Sequence, residues 1–216
     1  MAKVLSREIY PVLRRGSYVR LLGKTRFSVW DYRRTVGVIA EDAFRFLPPK
    51  TTAREAVLSS FSQTAGLRGI HRRFSKAEKN RTTENLQRLE LEELADRPIA
   101  TLSTGQVRRV MICRALVHRP RVLILDEPTV GLDLCSAFDH LQTIRRLIRD
   151  AVSVILVSHH INEIVPEIDR VIALKDGAIA FDDTKHRVFT SANLTDLYET
   201  AVRVIEVDGL FAALPG

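Results

Sequence analysis

Three runs of consecutive apolar residues punctuate the chain: Val36–Ala40 (VGVIA), Val122–Leu125 (VLIL) and Val152–Val157, which is apolar but for Ser153. Each is too short for a helix and too uniform for a strand with one wet face, so each predicts a strand buried on both sides. Between them the apolar spacing changes to that of helices. Ala53–Phe61 is opened by Thr51 or Thr52 with Glu55, a capping-box pattern. Thr83–Leu94 carries Leu86, Leu89, Leu91 and Leu94 on neighbouring turns, whereas Gly66–Lys79 is basic and poorly periodic and predicts loop or frayed helix. Gly105–Val117 groups Val107, Val110, Met111, Ala115 and Leu116 on one face, leaving Arg108, Arg109 and His118 outside. Ala137–Arg149 turns Phe138, Leu141, Ile144, Leu147 and Ile148 inward. Nearer the start, Met1–Leu13 predicts a helix and Ser17–Leu22 a strand closed by Gly23-Lys24. Towards the end, Val171–Leu174 and Ala178–Phe181 flank Asp176-Gly177, a strong hairpin signal, and Asp196–Leu210 predicts a short helix and a last strand. Strands alternating with helices in this order imply an α/β fold with a mainly parallel sheet, an antiparallel edge and a helical insertion.

Composition narrows the picture. With 216 residues, 45% apolar and 27% charged, the chain can bury one ample core. The apolar stretch Ala151–Val157 is far shorter than the roughly 18 residues of a membrane span. Lys3, Arg7 and Glu8 interrupt any signal-peptide core. Cys113 and Cys135 lack neighbours at metal-ligand spacing and read as reduced thiols of a cytoplasmic protein. The net charge of +7 is carried by residues 1–40, with 9 Lys/Arg against 2 Asp/Glu. Such a patch can meet nucleic acid, anionic lipid or an acidic partner. No aromatic interleaving or zinc spacing argues for nucleic acid.

The chemistry gathers where the apolar runs stop. Ile39 leads to Glu41, Leu125 to Asp126-Glu127, and Val157 to Ser158-His159. Ligands of open parallel sheets bind at the carboxyl ends of the strands. Paired carboxylates there suit a metal ion and an activated water. Just upstream, the turn Leu102-Ser103-Thr104-Gly105-Gln106 opens a helix, whose N-terminal amides and dipole attract an anion.

LSTGQVRR followed by VLILDEPTVGLD resembles, in residues and in spacing, the signature motif, Walker B motif and D-loop of the ABC-type ATPases. Ser158-His159 sits where that family has its switch histidine, and the LKDG hairpin follows. The resemblance implies one ABC ATPase domain over residues 1–216, P-loop NTPase-like, with a helical subdomain at about residues 46–104. It implies ATP and Mg²⁺ as ligands and ATP hydrolysis coupled to transport. Asp126 would hold Mg²⁺, Glu127 would polarise the attacking water, and His159 would contact the γ-phosphate, with His160 structural. Ser103, Gly105 and Gln106 would serve a nucleotide bound on the opposite subunit, and Asp133 would communicate across the same interface. The implied assembly is a head-to-tail dimer with a second ABC ATPase subunit, docked on membrane-embedded permease subunits at the inner face of the membrane.

Two features depart from the family pattern. Glu41 stands where the family has the glutamine of its Q-loop; it can still ligate Mg²⁺ but adds negative charge beside a triphosphate. Secondly, these residues contain no Walker A loop, GxxxxGK[ST]: Gly23-Lys24-Thr25 would require glycine where Tyr18 stands. Nor does Phe27–Arg34, mixing aromatics with Asp and Arg, open an apolar-periodic helix. Met1–Leu13 instead resembles the helix that follows Walker A, so the chain reads as starting one step late. Losing that loop costs about 1.5–3 kcal/mol per charged hydrogen bond, enough to weaken nucleotide binding by orders of magnitude. Two alternatives stay open: a truncated, non-catalytic subunit donating only its signature motif, and a soluble ABC ATPase outside transport.

Overall fold

The computed structural model describes residues 18, 20, 23–25, 28–40, 46–62 and 73–216. The Met1–Leu13 helix, most of the Ser17–Leu22 strand and Glu41 lie outside the described residues. The chain divides into two compact units, Met1–Thr143 with Ala151–Val157, and Ile144–Asp150 with Ser158–Gly216.

The first unit is built on a parallel sheet of strands β1 (Val36–Ile39), β2 (Val122–Asp126) and β3 (Ser153–Val157), in the order β1-β2-β3. The register pairs Val36 with Val122 and carries Asp126 level with Val157. Leu123, Ile124 and Leu125 are fully buried, as the uniform apolar run predicts for a strand covered on both faces. Ile124 packs with Tyr32 and Val36, flanked by Val38 and Val122. β3 is wetter than its composition suggests, with Ile155 37% exposed.

Tyr32 comes from α1 (Val29–Thr35), a short helix capped by Ser28. A segment without apolar helical periodicity therefore still holds a short helix. Ser28 supplies an N-cap bond to the Asp31 amide, a local signal that apolar periodicity ignores.

Helix α2 (Ala53–Ser59) starts with the full capping box of Thr52 and Glu55. Helix α3 (Lys76–Arg88) starts earlier than its leucines indicate, because Ser75 and Glu78 form a second capping box. It stops at Arg88, and Leu91 and Leu94 follow in a separate 3₁₀ turn region after Glu90 adopts a left-handed backbone. Helix α4 (Thr104–Leu116) crosses this region, and Arg114 donates to the Ala56 carbonyl and Ser59 hydroxyl of α2 at 2.6 and 2.5 Å. α4 also lies hard against the sheet. A Cβ on Gly37 of β1 would stand 3.3 Å from that of Ala115 and 3.0 Å from Leu123.

Helix α5 (Leu134–Arg149) contributes to both units. Phe138, expected inward, is 57% exposed, while His140 is buried in its place.

In the second unit, β4 (Arg170–Lys175) and β5 (Ala178–Thr184) form the expected hairpin, with Asp176 and Gly177 both at positive φ. Helices α6 (Lys185–Val188) and α7 (Ser191–Tyr198) lead to a second hairpin, β6 (Val202–Val207) with β7 (Leu210–Pro215). Asp208-Gly209 makes its turn with the same pair of positive φ angles, so the tail ends in two strands rather than one. Ile144, Leu147, Val165, Val188, Leu194 and Phe211 are the buried apolar residues of this unit, and Glu167 receives both Arg145 and Arg149.

His140 adds a pH dependence. Burial, reinforced by the charges of Arg108 and Arg109, lowers its pKa from 6.5 to about 4. Between those values the unfolded chain binds the proton and the folded one does not, so stability rises with pH through the window. The contribution is complete above about pH 6.5 and is lost towards pH 4, amounting to about 3 kcal/mol. Urea unfolding between pH 7 and 4.5 will therefore be steeper in pH for the wild type than for His140→Phe. Identical slopes would mean that the imidazole is protonated within the fold.

Candidate nucleotide site

The residues singled out in the first unit lie on three adjoining pieces of chain: the N-terminus of α4, the end of β2 with the turn after it, and the N-terminus of α5. The α4 N-terminus is ordered by its own sequence. The Ser103 hydroxyl accepts from the Gln106 amide at 3.2 Å, and the Gln106 side chain accepts from the Ser103 amide at 2.9 Å. Gln106 is thus a structural partner of the turn, leaving other amides of the first helical turn to face a ligand.

The α5 N-terminus is capped in a similar way. One oxygen of Asp133 accepts from the Ser136 amide at 2.9 Å and the other from its hydroxyl at 2.6 Å. These bonds hold the Asp133 carboxyl below its usual pKa, the Ser136 hydroxyl contributing most. The same serine meets the signature turn. A Cβ on Gly105 would stand 3.1 Å from Ser136 Cβ and 3.2 Å from its hydroxyl. Glycine is what allows the two helix starts to come this close. Cys135 beside it is exposed, whereas Cys113 within α4 is buried and burial pushes its thiol pKa up.

Asp126 and Glu127 are half-buried at the end of the central strand. Asp126 still belongs to the ladder, but Glu127 turns away with φ +50°. A left-handed backbone outside glycine costs about 1–3 kcal/mol, and the residue before a proline, here Pro128, is further restricted. The conformation is held by hydrogen bonds on both sides. The Glu127 amide donates to the Val157 carbonyl of β3 at 2.9 Å. Its carbonyl accepts from the Val130 amide at 3.4 Å and from Arg108 Nη1 at 3.2 Å. Arg108 Nη2 donates in turn to the Val130 carbonyl.

Arg108 corrects the expectation that it faces solvent. It is 5% exposed, because carbonyls of the turn after β2 take up its guanidinium. Helical periodicity had no means of showing it, since the acceptors are backbone atoms some 20 residues away.

His159 and His160 follow β3 and belong to the second unit, where both are exposed. Their rings lie 3.9 Å apart at 41°. The His160 amide donates to the Ser158 hydroxyl at 2.8 Å, which tightens the turn that presents His159. Glu41 lies outside the described residues.

The central parallel strand ends in two carboxylates beside the capped starts of α4 and α5, an arrangement of the kind at which phosphate-bearing ligands bind. A profile of the ABC transporter family matches residues 1–130. The chain is 33% identical over 185 residues to the ABC transporter ATP-binding protein YlmA of Bacillus subtilis, covering 85% of this chain and 69% of that one. It is 32% identical over 163 residues to the phosphonates import ATP-binding protein PhnC 2 of Oceanobacillus iheyensis, covering 75% of this chain and 64% of that one. Among solved structures, CbiO1 of Clostridium perfringens, part of the ABC transporter complex CbiONQ, superimposes with a TM-score of 0.70 at 26% identity, covering 90% of this chain and 75% of that one. The chain belongs to the ABC transporter family, on the ATP-binding side of it.

The capping geometry makes a stability prediction. Ser103→Ala removes one bond of the reciprocal pair and should lower the unfolding free energy by about 1 kcal/mol in urea titrations. Ser103→Asp, which restores an acceptor, should recover most of it. Equal midpoints for the wild type and the alanine variant would show that the box contributes nothing.

Proposed function

We propose that the chain is the ATP-binding and ATP-hydrolysing subunit of an ABC transport system, of the import type that relatives such as PhnC 2 represent. The observation that carries this reading is the Glu127 backbone. It is a strained, doubly tethered turn that aims a carboxylate from the end of a buried strand, next to the signature helix. In this reading Glu127 accepts the proton of the attacking water and His159 meets the γ-phosphate. Asp126 is a hard oxygen donor fixed by the strand ladder and fits Mg²⁺. That ion, when bound, neutralises phosphate charge.

Ser103 and Gly105 present the N-terminus of α4 to the γ-phosphate of a nucleotide held by a second ATPase subunit, and Asp133 lies beside them at the start of α5. The two subunits form a head-to-tail pair under membrane-embedded permease subunits, on the cytoplasmic side. No described helix is long and apolar enough to cross a membrane. Membrane attachment in this reading comes from those partners.

A second reading has its own observation. The 216 residues hold no GxxxxGK[ST]. In this reading residues 1–216 serve their signature turn to a partner that has the loop, and Asp126-Glu127 act only when such a loop is supplied to them.

Glu127→Gln separates the two. In an assembly that hydrolyses ATP through this subunit, the variant should lower kcat by at least about 100-fold with KM for ATP within twofold. A donor-only chain instead stimulates a partner subunit in a Ser103-dependent manner and is indifferent to Glu127→Gln. Titration calorimetry of the 216-residue chain alone should detect no ATP binding. Glu127-dependent hydrolysis by that chain by itself would overturn the account of the phosphate loop.

A further inference from the structure

We propose that Arg108 is a positioning residue, a clamp that keeps the turn carrying Glu127 in its left-handed conformation and ties it to the signature helix of the same subunit. The functional half of this statement rests on the reading of Glu127 as the residue that polarises water. The structural half does not.

The backbone of Glu127 sits at φ +50° and precedes a buried proline. Neither circumstance favours that conformation, so contacts must impose it. Its N–H is taken by the Val157 carbonyl of β3, which fixes the point of departure from the sheet. Its C=O is taken by Arg108, whose other terminal nitrogen reaches the Val130 carbonyl. The guanidinium fork thus spans the turn from its first residue to its last and closes it from the side of α4. A backbone bond across the same turn, from the Val130 amide to the Glu127 carbonyl, is long at 3.4 Å. Arg108 is therefore the stronger of the two closures, being charge-assisted as well as better in distance at the Glu127 end.

The arginine itself has little freedom. It is 5% exposed, and its charge helps keep His140 of α5 neutral. A lysine carries the charge but offers no planar fork, and can bridge the two carbonyls only imperfectly. Arg108 is four residues beyond the start of α4, and Ser103 caps that helix. A displacement of the signature turn along the α4 axis is consequently felt at the Glu127 carbonyl through one side chain.

Hydrogen exchange on the full chain, read by mass spectrometry, tests the clamp without requiring turnover. The informative peptide covers Glu127–Leu132, and the β4–β5 hairpin is the reference. Arg108→Met keeps the aliphatic bulk and removes the donors. It should speed exchange in the turn about tenfold while the hairpin exchanges at its wild-type rate. Arg108→Lys should recover part of the protection. Unchanged exchange in the turn for Arg108→Met overturns the clamp. So does equal acceleration in turn and hairpin, which marks a general loss of stability. If Arg108→Met does not fold, Arg108→Lys alone decides: faster exchange confined to the turn upholds the clamp, and wild-type exchange overturns it. Where the assembly hydrolyses ATP, Arg108→Lys should lower kcat with KM for ATP within twofold. Turn-specific exchange in a protein whose hydrolysis ignores Glu127→Gln would keep the clamp and discard the role given to Glu127.

Discussion

Glu127 is held by both of its backbone polar groups, the amide by β3 and the carbonyl by a buried guanidinium. The remainder of the first unit can be understood as the scaffolding that makes these bonds possible. The amide finds Val157 only because β2 and β3 are parallel and in a register that sets Asp126 level with Val157. In that register Leu123 to Leu125 are fully buried, as the middle strand of a sheet covered on both faces requires. The carbonyl finds Arg108 only because α4 lies close over the sheet, a proximity that Gly37 permits.

Much of this could be read from the chain. The three apolar runs became the three parallel strands, and Thr52 with Glu55 became a complete capping box. Where the reading failed, a local signal was usually present but outweighed. Ser75 and Glu78 are spaced as a capping box, yet the sparse apolar residues around them point only to loop or frayed helix. Asp208-Gly209 carries the same turn chemistry as Asp176-Gly177, but the apolar pattern flanking it is too weak to mark two separate strands.

Arg108 and Phe138 failed for a different reason. Periodicity assigns faces by hydrophobicity, so it places an arginine outside and a phenylalanine inside. The buried arginine is explained by carbonyl acceptors contributed by a distant turn, and the buried His140 beside it lies on the face that Phe138 was expected to occupy. Long-range backbone acceptors leave no trace in the spacing of side chains. The positive φ of Glu127 is equally silent, since a glutamate carries no preference for a left-handed backbone.

The chain has two cysteines, and the fold treats them oppositely. Cys113 is sealed within α4 with its thiol held protonated, whereas Cys135 lies exposed in the first turn of α5, next to the serine that touches Gly105. Thiol-reactive fluorophores and spin labels will therefore partition to one address without any cysteine having to be removed. That address is at the junction of the α4 and α5 starts, so the wild-type sequence already carries a built-in attachment point for spectroscopy there.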